Sequence, residues 1–160
     1  MKIAIAADHA GYALKESLKQ RLLAQGYEIV DTGPHSLEPG DDYPDFTAPA
    51  ARMVSTRQAD RAILICDSGI GVDIVANKFQ DVRSALVHTE ELARLTREHN
   101  DSNVLALGSM FLDEETAERI AKTWLTTEFS DAERHRRRIA KIHELEKQEV
   151  DWTDDTAGCD

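Results

Sequence analysis

The stretch "ILICDSGIGVDIVANK", residues 63 to 78, decides the architecture. Ile63, Leu64 and Ile65 form a short apolar run, and after Cys66 the chain passes through Gly69 and Gly71 into a segment of helical spacing. A strand without polar alternation, followed at once by a glycine turn and a helix, belongs in a parallel sheet covered on both faces. The pattern repeats outward in both directions. Upstream, "KIAIAA" (2–7) reads as a buried strand, and "AGYALKESLKQRLLAQG" as a helix with Leu14, Leu18, Leu22 and Leu23 on its stripe and Gly26 at its end. "YEIVD" (27–31) is a second strand, and a helix rich in alanine begins near Pro44 or Asp45 after the loop "TGPHSLEPGDDYPD". Downstream, "VRSALV" and "NVLALG" are strands flanking the helix "TEELARLTREH". Counting "RAILIC", the alternation predicts an α/β fold, a doubly wound three-layer sandwich around a five-stranded parallel sheet.

A chain of 160 residues can bury a core of its own, so residues 1–150 are expected to form a single domain and the aperiodic 151–160, "DWTDDTAGCD", an acidic tail. The net charge of −11 argues against nucleic acid as a partner, since phosphate backbones call for a basic field. No segment has the length of a membrane span, and the start lacks the flank and apolar region of an export signal, so a cytoplasmic protein without a membrane partner is expected. Cys66 and Cys159 make no disulfide framework, and free thiols in a reducing compartment follow. After the fifth strand two helices succeed each other, over 113–129 and 130–150. The second carries Ile139, Ile142 and Leu145 on one stripe with no further strand to cross over to. The C-terminal helices are therefore expected to pack on a partner subunit, giving a homodimer or a dimer of dimers.

Ligands of open parallel sheets bind beyond the carboxyl ends of the strands. Those ends carry Asp8 and His9, then Cys66-Asp67-Ser68-Gly69, then His88, then Gly108-Ser109. His99 and Asn100 follow a helix and precede a strand, which is read here as a position near the same rim. A thiol at the mouth of a helix meets main-chain amides that favour the thiolate, and the same amides can hold a developing oxyanion. Cys66 taken alone fits equally well as a small apolar residue closing a buried strand. The dinucleotide pattern G-x-G-x-x-G fails, because the loop offers only G-I-G, follows the third strand, and has Ile74 where the last glycine belongs. A P-loop and a zinc-ligand spacing are absent. Within "RHRRR" (134–138), Arg134 and Arg138 lie four apart on one helix face, a spacing able to grip a phosphate; the bland alternative is a solvated face.

Together "ADHAGYALKESL", "DYPDF", "ILICDSGIGVDIVANKF", "VRSAL", "REHNDSNVLALGS" and "ERHRRRI" resemble, in order and over residues 1 to 147, the type B ribose-5-phosphate isomerases and their relatives acting on galactose 6-phosphate and allose 6-phosphate. The resemblance implies a Rossmann-like fold, a dimer whose active sites draw on both subunits, and interconversion of an aldose phosphate and its ketose with no metal or other cofactor. Carried onto this sequence, Cys66 is the base moving a proton between C2 and C1. Ser68 and the amides of Gly69, Ile70 and Gly71 steady the enediolate. His99, helped by Asp8 or Asn100, opens the sugar ring, Tyr43 lines the pocket, and His9, Arg134 and Arg138 hold the phosphate.

Two positions depart from the pattern. Met110 stands where many members carry an arginine, and Asp67-Ser68 stand where the loop commonly reads Gly-Thr. Asp67, counted among the substrate-binding residues, would oppose thiolate formation if it faced the pocket. Ribose 5-phosphate is the expected substrate, a six-carbon aldose 6-phosphate of allose or galactose type the alternative, and a non-catalytic sugar-phosphate binding module the reading from another class.

Overall fold

The computed structural model describes residues 1–147. The tail 151–160 with Cys159, and the last three residues expected in the final helix, lie outside the described residues.

Five strands, β1 (Lys2–Ala7), β2 (Glu28–Asp31), β3 (Arg61–Cys66), β4 (Ser84–Leu86) and β5 (Val104–Gly108), pair in parallel in the order β2-β1-β3-β5-β4. Six helices connect or follow them: α1 (Tyr12–Ala24), α2 (Tyr43–Ser55), α3 (Ile70–Ala76), α4 (Glu90–Asn100), α5 (Glu114–Thr126) and α6 (Glu133–Lys147). Beyond their first residues, Lys2 and Arg61, β1 and β3 are apolar because both of their faces are covered. Ile3, Ile5, Ile63, Ile65, Leu105 and Leu107 pack with α1, α4 and α5 on one side. Ala4, Ala6, Ala62, Leu64, Cys66 and Ala106 pack with α2 and α3 on the other. The chain leaves β1 toward β2 and returns past it to β3, so right-handed crossovers put α1 and α2 on opposite faces. That reversal makes the carboxyl ends of β1 and β3 the topological switch point of the sheet.

Local sequence accounts for the helix ends. Thr89 and Asp113 cap α4 and α5 by accepting the amides of Leu92 and Thr116, each followed by acidic residues in the first turn. On α1, Leu14, Leu18 and Leu22 face the core, whereas Leu23 is 46% exposed, one step off the stripe. Of the two C-terminal helices, α5 packs on its own sheet through Ile120, Ala121, Trp124 and Leu125, and the Trp124 indole donates to Ser102 Oγ at 2.8 Å. Only α6 stands apart, seated on α4, with His135 its one buried residue. Ile142 and Leu145 are 39% and 62% exposed, so the apolar stripe of α6 is uncovered within one chain.

Beneath the carboxyl end of β2, the fully buried Lys15 ammonium donates to both oxygens of Asp31 at 2.9 and 3.0 Å and to the Pro34 carbonyl. Lys19 donates to Asp31 at 2.7 Å and to Glu16 at 2.6 Å. A charge so buried persists only where its protons are shared in this way. The network anchors the loop that leads to α2, and with it the approach to the switch point.

Candidate active site

The loop after β3 is built around the sulfur. Cys66 is 4% exposed, on the α2/α3 side of the strand, and the Gly69 amide donates to its Sγ at 3.2 Å. Gly69 sits at φ +78°, and a Cβ there would come within 2.5 Å of the Leu86 side chain and 2.8 Å of the Leu107 main chain. Glycine is thus required twice over, for conformation and for room. The Ile70 amide donates to Ser68 Oγ at 3.3 Å. At Gly71 a Cβ would meet the Tyr43 ring at 2.6 Å, so the first residue of α2 lies directly on the turn.

The loop after β1 closes on the same point. The Asp8 amide donates to the Ile65 carbonyl, and a Cβ on Gly11 would strike that carbonyl at 2.7 Å. Asp8 is buried and accepts the Gly11 amide at 2.9 Å, which opens α1. His9 is tied to Asp41: both its main-chain amide and Nδ1 donate to Asp41 Oδ1, at 2.8 and 2.7 Å. The hydrogen bond to Asp41, reinforced by the charge of Asp8, holds the imidazole above its ordinary pKa.

Asp67 does not stand beside the thiol. It lies in a cavity of about 440 Å³ shared with Ala10, Ser109, Met110, Asp113 and Glu114, on the α1/α5 side of the sheet. Alternation beyond the strand end turns Cys66 and Asp67 to opposite faces.

His99 and Asn100 do not reach this rim within one chain, contrary to the reading of their position. They occupy the last turn of α4, and a helix joining two parallel strands returns the chain to the strands' amino ends. The Asn100 carbonyl accepts Arg83 Nε just ahead of β4, which marks the amino edge of the sheet. Strand β5, at about 3.3 Å per residue, separates the two edges by roughly 16 Å. At the amino edge His99 packs against His135 with ring centroids 4.5 Å apart and the planes tilted by 47°. Arg134 Nε donates to His135 Nε2 at 3.0 Å, leaving His135 Nδ1 to donate to Ser130 Oγ at 2.7 Å. Burial, together with the charges of His99 and Arg134, lowers the His135 pKa and so favours the neutral ring. Arg136 pairs with Asp131, while no carboxylate among the described residues pairs with Arg134 or Arg138.

The structure therefore sorts the sequence-selected residues into two sets. Asp8, His9, Tyr43, Cys66, Ser68, Gly69, Ile70 and Gly71 meet at the carboxyl edge; His99, Asn100 and the α6 arginines stand near the amino edge. Sequence reasoning missed Asp41 and His135. The first hides in an acidic loop, where only the fold shows which carboxylate meets His9; the second hides inside a basic run that draws attention to its arginines. Metal-ligand types gather at Asp81, His143 and Glu146, but Arg83 Nη1 lies 3.3 Å from His143 Nε2, so a guanidinium already faces the nitrogen that would ligate.

With this geometry in view, the similarity to known proteins is extensive. A family model described as Ribose/Galactose Isomerase matches residues 3–142. The chain belongs to that family. It is 37% identical over 147 residues to ribose-5-phosphate isomerase B of Escherichia coli K12, covering 92% of this chain and 97% of that protein. A solved structure of Clostridium thermocellum ribose-5-phosphate isomerase B superposes with a TM-score of 0.89 at 44% identity, over 92% of this chain and 98% of the other. The ribose-5-phosphate isomerase B of Mycoplasma genitalium, solved with bound ribulose-5-phosphate, gives 0.88 at 40% identity, over 92% and 97%.

Proposed function

We propose that this family member interconverts ribose 5-phosphate and ribulose 5-phosphate as a metal-free aldose-ketose isomerase. The observation that carries the reading is the thiol of Cys66, held at the sheet's switch point by the Gly69 amide and ringed by Ser68 and the turn of Gly69, Ile70 and Gly71. Isomerisation needs a base for a carbon acid, donors where the enediolate charge develops, and an anionic handle that fixes the carbon skeleton.

In the reaction, His99, with Asp8 or Asn100, moves the protons that open the sugar ring. The Cys66 thiolate takes the C2 proton; electrons of the broken C–H bond form the C1–C2 double bond as the carbonyl π pair moves onto O1, giving an enediolate. A proton passes from O2 to O1, and the thiol returns its proton to C1 as the C2 carbonyl forms. Ser68 Oγ–H and the amides of residues 69 to 71 donate to the enediolate oxygens, Tyr43 walls the pocket, and the phosphate is held by His9, Arg134 and Arg138. Because roughly 16 Å of strand at 3.3 Å per residue separates the two sets, a second copy of the chain supplies His99, Asn100, Arg134 and Arg138. The exposed Ile142 and Leu145 on α6 support a homodimer in which one copy's amino edge meets the other's carboxyl edge. Among the described residues no helix is long and apolar enough to cross a membrane.

A panel of pentose and hexose phosphates, assayed for interconversion with a chelator present, tests the reading. Ribose 5-phosphate is expected to turn over fastest and the chelator to have no effect; loss of activity with chelator would remove the metal-free mechanism. Cys66→Ala is expected to lower kcat by about a thousandfold, within the usual span for a lost general base, while substrate still binds. Unchanged turnover would favour a site whose thiol only ends a strand.

A further inference from the structure

The His9–Asp41 pair is more than a loop tie. Asp41 reaches His9 from 32 residues away, out of the loop that precedes α2, and accepts both donors on the same oxygen. Its side chain is 10% exposed, and its other oxygen, Oδ2, is buried without a hydrogen-bond partner among the described residues. A buried, half-satisfied carboxylate is costly to keep for shape alone, since a neutral amide could accept the same two donors. What the carboxylate adds is negative charge against an imidazole whose side chain remains 41% exposed. With Nδ1 committed to Asp41, Nε2 is the ring nitrogen left to donate outward.

We propose that Asp41 is a positioning residue for phosphate recognition: it locks the His9 ring by its Nδ1 and main-chain amide and keeps Nε2–H as a charged donor for a phosphate monoester dianion. The proposal deepens the function proposed above and rests on its placing the substrate phosphate at His9. The charged groups acting on His9 are Asp41, from the loop before α2, and Asp8, from its own loop. Both favour the protonated ring, so the folded protein retains the charge above the ordinary imidazole range and loses it only as pH rises past the raised value. Phosphate affinity is accordingly sustained to a higher pH than a free histidine would allow.

Asp41→Asn in the full-length chain tests this. The His9 ring is followed by NMR across pH, inorganic phosphate binding is followed on the same signals, and KM and kcat for ribose 5-phosphate are measured at pH 5.5 and pH 8. The expected result is a lower His9 titration midpoint and an affinity for inorganic phosphate weakened several-fold at the higher pH, as for a lost charge-assisted hydrogen bond. KM should rise more than kcat falls, and the mutant-to-wild-type ratio should shrink at pH 5.5, where His9 is protonated in either protein. An unchanged midpoint would overturn the proposal outright. A lowered midpoint with a KM ratio flat across pH would instead remove His9 from the phosphate site, a failure of the functional reading on which the proposal stands. Should Asp41→Asn fold poorly, His9→Gln provides a second arm: the proposal requires that it reproduce the high-pH loss, and a His9→Gln protein with wild-type phosphate affinity at pH 8 would sink it.

Discussion

The two edges of the sheet are built differently. At the carboxyl edge the chemistry is held by main chain: Gly69 N–H on the sulfur, Ile70 N–H on Ser68, and glycines at 11, 69 and 71 packed where no side chain fits. At the amino edge it is held by side chains on one another, with His99 on His135, Arg134 on His135, and α6 resting on α4. The first edge is complete as a scaffold within a single chain, and the second leaves guanidinium groups and an apolar stripe facing outward. The contrast fits the proposal that one copy makes two half-sites. Backbone amides suit an anion that exists only fleetingly, because they cost no reorganisation when it forms. Long cationic side chains suit a substrate handle that must arrive and leave.

The largest expected effect tests that division directly. Cys66→Ala and His99→Ala proteins, each nearly inactive, are mixed, dissociated and reassociated. In an isologous dimer the mixed species pairs one intact carboxyl edge with one intact amino edge, so about a quarter of wild-type activity should return. Assay of the mixture is sufficient, and no recovery would mean that both half-sites do not meet across copies. Gly69→Ala comes next. Its left-handed φ costs about 1–2 kcal/mol for a residue with a Cβ, and the clash with Leu86 and Leu107 adds to this. Thermal unfolding should register the loss, and turnover should fall with it because the amide that meets Sγ is displaced.

A purely structural effect, smaller in turnover than in stability, is expected at Asp31. Burial alone would raise its pKa, but hydrogen bonds from Lys19 and Lys15 bring it below the ordinary carboxylate value. A depressed carboxyl pKa adds stability that is present above the unfolded value and lost as pH falls through the folded one. Asp31→Asn, which strands the buried Lys15 with weaker partners, should cost about 3 kcal/mol near neutrality. That difference should narrow as pH falls below the unfolded value of about 3.9 and vanish only through the depressed folded value, where wild type also loses the charge. Denaturant unfolding at both pH values measures it, and activity per folded molecule should change far less than stability.

The carboxyl edge was legible in the sequence because its parts are contiguous: strand, cysteine, two glycines and helix arrive in one run, and strand ends must share a rim in a parallel sheet. Period and turn residues also located every strand and helix, with errors at the margins, such as Leu23 placed on a stripe it leaves and a fourth strand shorter than "VRSALV" suggests. The amino edge was misread for a physical reason. His99 precedes a strand, and position in the chain does not announce which end of the sheet a crossover helix terminates at until its direction is followed. Asp41 was invisible because a loop carboxylate acquires meaning only from what lies opposite it, and no periodicity encodes that.

His135 offers the finest test of how the amino edge works. Its ring is neutral, since Nε2 accepts from Arg134 and Nδ1 donates to Ser130, and it lies against the face of His99. A neutral neighbour packed on His99 braces that ring while adding no charge, whereas an imidazolium at His135 would repel Arg134 and, on the function proposed above, disturb the phosphate-binding arginines. Its folded pKa is depressed, so the unfolded chain takes up the proton first, and stability should fall as pH drops through and below the ordinary imidazole value near 6.5. His135→Phe keeps the packing surface and cannot be protonated, so the acid-side loss of stability should be reduced in that variant. It also frees Arg134 Nε and leaves Ser130 unpaired. Ring opening should therefore slow by several-fold for closed-ring ribose 5-phosphate, an effect of the size that one lost neutral hydrogen bond allows. Comparing turnover of the closed-ring aldose with that of the open-chain ketose separates the two roles. A loss confined to the aldose direction would place His135 behind His99, and an equal loss in both would make it only a brace for α6.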